Sequence, residues 1–279
     1  MRIFVILFYC IFSMSCNGKG NNAEKEMLSF QKKEIKSATV ADTLSKTKTI
    51  HIFVALCDNK YQGILPVPAG IGNGQSPNTN LYWGCGFGIK TYFKKSREWK
   101  LLETTKPGNN ILERLVFKNT TKPNYYLVAD AYDGQYIKKC TKDFLSSSSG
   151  QQKSVLKTNG KTIGIGGNAS LLGYIGHDGL MDFQLSEKFD NTDGKKRDII
   201  VLACYSKMFF SPHLKEAKVN PIVWTSNLMC PEAYTIHDAI TGYIAGENNE
   251  KIRTRAVKAY AKYQKCGEKG ARNLLITGF

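Results

Sequence analysis

Two residues that could serve as a nucleophile and a base follow apolar runs in the middle of the chain. His177 ends the first run, in YIGHDGL (174–180), and Cys204 ends the next, in IIVLACYS (199–206). A thiol needs a base to become a good nucleophile at neutral pH, and histidine is the side chain best suited to supply one. The pair therefore points to acyl transfer through a thioester.

The surrounding sequence favours the same chemistry. The interval from His177 to Cys204 leaves room for one crossover connection, so the two strands can be neighbours in a sheet. In an open α/β sheet, catalytic groups gather outside the carboxyl ends of the strands. The segment YSKMFF (205–210) can begin a helix, whose N-terminus would stabilise a thiolate and offer N–H groups to an oxyanion. We expect both side chains to lie at one edge of the sheet.

The arrangement resembles the caspase, gingipain and legumain group of cysteine peptidases (the caspase-hemoglobinase fold), in which one strand leads into His-Gly and the next into Ala-Cys. The counterparts here are His177 with Gly179, and Ala203 with Cys204, although Asp178 stands between the histidine and the glycine. The resemblance implies that His177 is the general base or acid and Cys204 the nucleophile. It also implies that the backbone amides of Gly179 and Cys204 are the oxyanion donors.

The resemblance covers the order of elements from about 50 to 226, and it implies a cysteine endopeptidase that acts on a peptide or protein without a metal or organic cofactor. In that group, the loop after the strand at 221–226 helps to build the pocket for the residue preceding the scissile bond. Together with two residues that follow the first strand, this predicts five residues of a substrate pocket: Asp58, Asn59, Ser226, Asn227 and Glu232. Helix capping is the alternative role for Glu232.

Apolar patterns predict the elements that must position these residues. We expect strands at 50–56, 112–118, 125–131, 170–176, 198–204 and 221–226, and helices from Asn80 through Phe93, at 136–145, at 234–245 and at 252–265. Several of the strands are continuous apolar runs, as is typical of strands buried on both faces. The prediction is a three-layer α/β/α sandwich with a mainly parallel sheet, formed by one domain at 48–279.

The N-terminus predicts export. Met1 and Arg2 precede the short apolar run IFVILFYCIF, so residues 1–15 read as a signal peptide. Small residues before Cys16 resemble a bacterial lipobox, in which that cysteine carries the lipid; plain cleavage and an uncleaved anchor are the alternatives. Residues 16–47 are polar and lysine-rich, as a flexible tether would be. The expected location is the cell envelope, on a bacterial membrane.

The charge and the cysteine content of the chain indicate which partners and metal sites to expect. The formal net charge of +16 and the pI near 9.4 favour acidic partners, but the lysines are spread along the chain, so no nucleic-acid partner is predicted. Besides Cys10 and Cys16, six cysteines remain without a CxxC pair, and a structural metal site is therefore not expected.

The sequence bears on three other functions. A non-catalytic surface lipoprotein could bind a peptide or glycan in the same cleft. The dipeptides His177-Asp178 and His237-Asp238 resemble those of metal phosphohydrolases, but that chemistry places its ligands on the helices of a bundle. A serine hydrolase would need a G-x-S-x-G elbow, which the sequence lacks. Asp130, near the end of the strand at 125–131, is either a further pocket residue or part of a solvated turn.

Overall fold

The structure, a computed structural model, describes residues 46–279 together with Lys25, Glu26 and Ser29. The chain divides into two units, Met1–Asp42 and Thr43–Phe279. The predicted signal peptide, the lipidation site Cys16 and nearly all of the predicted tether lie outside the described residues. Among the helices of the described residues, none combines the length and the apolar character that a membrane span requires.

Ten strands are found in the described residues: β1 (Lys48–Ala55), β2 (Trp99–Thr105), β3 (Ile111–Asn119), β4 (Tyr125–Tyr132), β5 (Lys153–Thr158), β6 (Lys161–Gly166), β7 (Leu171–Gly176), β8 (Asp198–Leu202), β9 (Asn220–Thr225) and β10 (Leu275–Ile276). Eight of them form one sheet in the order β10-β9-β8-β7-β1-β4-β3-β2, while β5 and β6 form a separate hairpin. The central strands from β9 to β4 pair in parallel, and antiparallel strands complete both edges.

Helices cover both faces of this sheet. The described residues form α1 (Ile89–Lys95), α2 (Ile137–Ser148), α3 (Ser206–Glu216), α4 (Ala233–Ile244), α5 (Asn249–Gln264) and α6 (Gly267–Leu274), with short 3-10 turns at Gly134–Tyr136 and Gly179–Met181. Helices α1, α4, α5 and α6 pack on one face; α2 and α3 pack on the other, beside the β5–β6 hairpin. The prediction of a three-layer α/β/α sandwich with a mainly parallel sheet is confirmed.

The continuous apolar runs follow from burial of the sheet on both sides. In β1, Ile50, Ile52 and Val54 face the layer of α4 and α5, while Phe53 and Ala55 face α2. All five are at most 1% exposed. Because neither face meets water, alternation with polar residues is lost, and each large side chain contributes roughly 1.5–3 kcal/mol of burial free energy.

One buried polar cluster interrupts this core. Asp130 lies in β4, not in a solvated turn, and its carboxylate accepts two hydrogen bonds from Arg114 and one from His51 Nε2. Burial alone would raise the pKa of Asp130, but the hydrogen bonds from Arg114 and His51 outweigh it and lower the pKa. His51 Nδ1 accepts a hydrogen bond from the Gly166 N–H, so the cluster also attaches the β5–β6 hairpin to β1.

The helix predicted from Asn80 begins only at Ile89. Asn80 is fully buried, and its side-chain oxygen accepts hydrogen bonds from the N–H groups of Cys57 and Tyr82. Its amide also donates to the Cys57 carbonyl. The residue therefore holds a loop against the end of β1 instead of capping a helix, and the intervening glycines form turns.

Candidate active site

His177 and Cys204 emerge at the same edge of the sheet. His177 directly follows β7, and Cys204 lies two residues after β8. These strands are parallel neighbours, with Ile175 opposite Leu202 at their carboxyl ends. Both side chains line one cavity of about 430 Å³. The structure thus brings together the two residues that the sequence proposes as base and nucleophile.

The topology explains why a cavity forms here. After β1 the chain forms β2, β3 and β4, all on one side of β1, whereas after β7 it forms β8 and β9 on the other side. Loops therefore diverge between β1 and β7, and this reversal is where ligands bind in open α/β sheets. Segments after β1, β7, β8 and β9 contribute walls, together with Leu81 and Tyr82. The volume lies within the range of small-molecule sites.

The Cys204 thiol is held by the backbone of Met229. Its Sγ accepts a hydrogen bond from the Met229 N–H at 3.4 Å and donates to the Met229 carbonyl at 3.6 Å. Burial raises the pKa of Cys204, the Met229 N–H lowers it, and the charge of Asp178 raises it, with a net increase. In the free protein, Cys204 is therefore a thiol at neutral pH.

A sharp turn links Cys204 to the following helix. Tyr205 has a φ of 48°, in the left-handed region that few non-glycine residues adopt, and α3 starts immediately afterwards at Ser206. The helix predicted from YSKMFF thus exists, and its N-terminus lies next to the cysteine. Such an end favours negative charge on neighbouring atoms.

An aspartate that the sequence analysis did not consider orients the imidazole of His177. The distance from His177 Nε2 to Asp182 Oδ2 is 2.7 Å, and the same oxygen accepts a hydrogen bond from the Gly63 N–H at 2.9 Å. A neutral imidazole that donates Nε2–H to this carboxylate keeps Nδ1 free of a proton, ready to accept one. Within the described chain, no hydrogen bond joins His177 to Cys204 directly.

Gly176 sets the direction in which the chain leaves β7 and so the position of His177. Its φ of +140° is unfavourable for residues with a side chain, and a Cβ at this position would lie 2.5 Å from the carbonyl oxygen of Ala55. The chain can therefore leave β7 in this direction only because position 176 is glycine. A sequence pattern of apolar residues gives no indication of this constraint.

The two predicted oxyanion donors are placed differently. Cys204 lines the cavity, whereas Gly179 is buried in the 3-10 turn and is not among the lining residues. Asp178 caps that turn by accepting a hydrogen bond from the Leu180 N–H. Within the described residues, the backbone N–H groups of Gly179 and Cys204 make no hydrogen bond. Of the two predicted donors, Cys204 is therefore the one that lies at the cavity.

Of the five predicted pocket residues, only Glu232 lines the cavity. It stands at the N-cap position of α4, but its side chain makes no capping hydrogen bond. Instead, its Oε2 accepts hydrogen bonds from the Tyr234 hydroxyl at 2.9 Å and from Gln264 at 3.3 Å. Burial raises the pKa of Glu232, and the bond from Tyr234 lowers it less.

The other four predicted pocket residues stabilise loops around the site. Asp58 is buried and accepts hydrogen bonds from two backbone N–H groups in the turn that follows it. The Asn59 side chain pairs with both backbone groups of Val67. Ser226 donates to a carbonyl at the end of α6, and Asn227 accepts from the next backbone N–H. None of the four lines the cavity.

Other polar groups of the described chain do not form a metal centre. No group of three or more His, Cys, Asp or Glu side chains within the described residues could hold a metal ion. His237, at the second His-Asp dipeptide, is buried on α4, where it hydrogen-bonds Ser96 and Asp238. The six cysteines of the described chain are free thiols, and Cys230 lines the cavity with Cys204.

Asp178 makes the stability of the protein depend on pH. It is fully buried, and its Oδ2 has no partner among the described residues. Burial raises the pKa of this carboxyl from 3.8 to about 8. Because the pKa is higher in the folded chain, its stabilising contribution is complete below about pH 4 and is lost as the pH rises through about 8.

We expect Asp178→Asn to remove this loss of stability at high pH. Between pH 5 and pH 8, the free energy of unfolding of the variant should rise relative to the unsubstituted protein by on the order of 3 kcal/mol. Urea unfolding at several pH values measures the difference, with the exposed Asp190→Asn as the control. Parallel pH profiles for Asp178→Asn and the unsubstituted protein would contradict the assignment.

Comparisons of the chain with protein-family models, with curated proteins and with solved structures gave no match. The resemblance to the caspase, gingipain and legumain group therefore rests on the two strand-end motifs and on the positions of their residues.

Proposed function

We propose that the protein is a cysteine endopeptidase that cleaves peptide bonds through a thioester on Cys204. The observation that carries the proposal is that Cys204 and His177 line one cavity at the carboxyl ends of adjacent parallel strands. The orientation of His177 by Asp182 adds support, since a base held by a carboxylate recurs in enzymes with nucleophilic catalysis. The substrate is a peptide or protein.

The cycle follows from these positions. His177 Nδ1 takes the proton of the Cys204 thiol when substrate brings the groups together, and the thiolate attacks the carbonyl carbon. The Cys204 backbone N–H donates to the developing oxyanion. Collapse breaks the C–N bond, and the amine leaves with the proton from His177. Water, deprotonated by His177, then attacks the thioester; the acid leaves and the thiol regains its proton.

Because burial raises the pKa of Cys204, the free enzyme holds a neutral thiol and not a preformed thiolate–imidazolium pair. This observation also favours the second candidate function, a non-catalytic lipoprotein that binds a peptide or glycan in the same cavity. The two functions differ in one measurable respect: only the enzyme requires His177 for the reactivity of Cys204.

We expect acyloxymethyl ketone peptides to alkylate Cys204, and His177→Ala to slow this alkylation by about 10²–10⁴-fold, the usual effect of removing a general base. Mass spectrometry of the intact and digested protein measures the rate at each cysteine. Cys230→Ser is the matched control because Cys230 is exposed and lines the same cavity. Alkylation of Cys204 that does not depend on His177 would favour the binding protein.

We expect Asp182→Asn to lower kcat by about 10²–10⁴-fold with a small change in KM, because an amide no longer selects the tautomer with Nδ1 free. The asparagine retains an oxygen that can accept the Gly63 N–H. Peptide hydrolysis is measured as a function of pH, and Asp190→Asn serves as the control. If both variants lost the same activity, Asp182 would not be a positioning residue.

The proposal includes attachment to a bacterial cell envelope by a lipid on Cys16, supported by the sequence pattern of the N-terminus. Expressed in a bacterium with a labelled fatty acid, the full chain should sediment with membranes and carry the label, whereas Cys16→Ser should carry no label because the thiol that holds the lipid is lost. An unlabelled full chain on membranes would favour an uncleaved anchor. An unlabelled full chain in the soluble fraction would favour plain cleavage.

A further inference from the structure

Large apolar side chains are exposed around the mouth of the cavity. Leu65 is 90% exposed, Leu228 62% and Met181 40%. They come from three separate segments, which follow β1, β9 and β7, and all three line the cavity that holds Cys204. A cluster of exposed apolar side chains beside a polar reactive pair is characteristic of a binding surface rather than of chance exposure.

The interior of the cavity is also apolar. Five further apolar residues line it: Ile64, Val67, Leu81, Met229 and Pro231. Glu232 is the acidic residue in the lining, and its Oε2 is already bound by Tyr234 and Gln264. Burial raises the pKa of Glu232 and so opposes its ionised form. A cationic side chain in the cavity would need a negatively charged Glu232 as its partner, whereas an apolar side chain needs only the apolar walls.

From this lining we propose that the site is specific for polypeptide segments that carry a large apolar side chain, such as Leu, Met or Phe, next to the scissile bond. The inference rests on the proposed function, which identifies the scissile bond as the peptide bond that Cys204 attacks. The occupant is an extended peptide because the exposed rim is continuous with Cys204 and His177, where a peptide carbonyl would have to lie. No lysine or arginine of the described residues lines the cavity, so acidic substrates gain no direct contact with a basic side chain there.

The first experiment measures binding apart from chemistry. The full chain with Cys204→Ala is titrated into fluorescent peptides that differ at one position, which is Leu, Phe, Lys or Asp. We expect the Leu and Phe peptides to bind about 10- to 100-fold more tightly than the Lys and Asp peptides, as burial of one large apolar side chain allows. Cleavage of the same peptides by the unsubstituted protein is measured in parallel.

Variants locate the preference on the structure. The double variant Leu65→Ser, Leu228→Ser should reduce the advantage of the Leu and Phe peptides at least about fivefold, since two rim contacts are lost. Met208→Ser is the matched control, because Met208 is 70% exposed on α3 and does not line the cavity. Glu232→Gln should leave the ranking of the four peptides unchanged; a gain or loss confined to the Lys peptide would overturn the inference in favour of charge recognition.

The outcomes separate this inference from the proposed function. Preferential binding of apolar peptides without cleavage would support the inference and reject the peptidase. Cleavage without preference among the four peptides, or with preference for Lys or Asp, would support the peptidase and overturn the inference. Absence of both binding preference and cleavage would overturn both.

Discussion

The parallel pairing of β7 with β8, beside β1, determines where the candidate site lies. The strands are buried on both faces, so their register is fixed by packing against two helical layers. A slip by one residue would exchange the faces of every side chain in the strand. The positions of His177 and Cys204 are therefore set by the core of the domain, even though both residues lie in the segments that leave it.

Two aspartates close to the histidine have different roles. Asp182 is partly exposed and hydrogen-bonds the imidazole, so it fixes the orientation of the ring. Asp178 is buried, one of its oxygens has no partner among the described residues, and burial raises its pKa to about 8. Burial is also the main cause that raises the pKa of Cys204, so the Asp182–His177 pair is the feature that supports a catalytic role for the cavity.

The sequence predicted the layers of the fold because long apolar runs such as those of β7 and β8 have one physical explanation, burial on both faces. It missed β2, the β5–β6 hairpin and α6, in which polar residues interrupt the apolar pattern, and also β10, which has two residues. The hairpin did carry a signal: Asn159 and Gly160 both have positive φ at its turn, and an Asn-Gly dipeptide is the usual sequence of such a turn. The helix predicted at 252–265 ends at Gln264, where Lys265 adopts a left-handed conformation, and α6 begins at Gly267.

The site was less predictable, because most of its walls come from loops. His177 and Cys204 could be found from their positions after strands, but Leu65, Met181 and Leu228 carry no motif, and loop conformation decides that they meet. Asp182 lies five positions after the histidine, and this separation alone does not predict a contact. The 3-10 turn at Gly179–Met181 brings Asp182 back to the imidazole of His177. Four of the five predicted pocket residues are polar loop residues whose hydrogen bonds are satisfied within the scaffold.

A single carboxylate oxygen, Asp182 Oδ2, contacts both the Gly63 N–H and the imidazole of His177. Gly63 lies two residues before Leu65, so displacement of that loop by a bound molecule also changes the hydrogen bond that holds the ring. Binding at the rim and the orientation of His177 are thereby thermodynamically linked. A molecule that favours one conformation of the loop with Gly63 and Leu65 also favours one orientation of the imidazole.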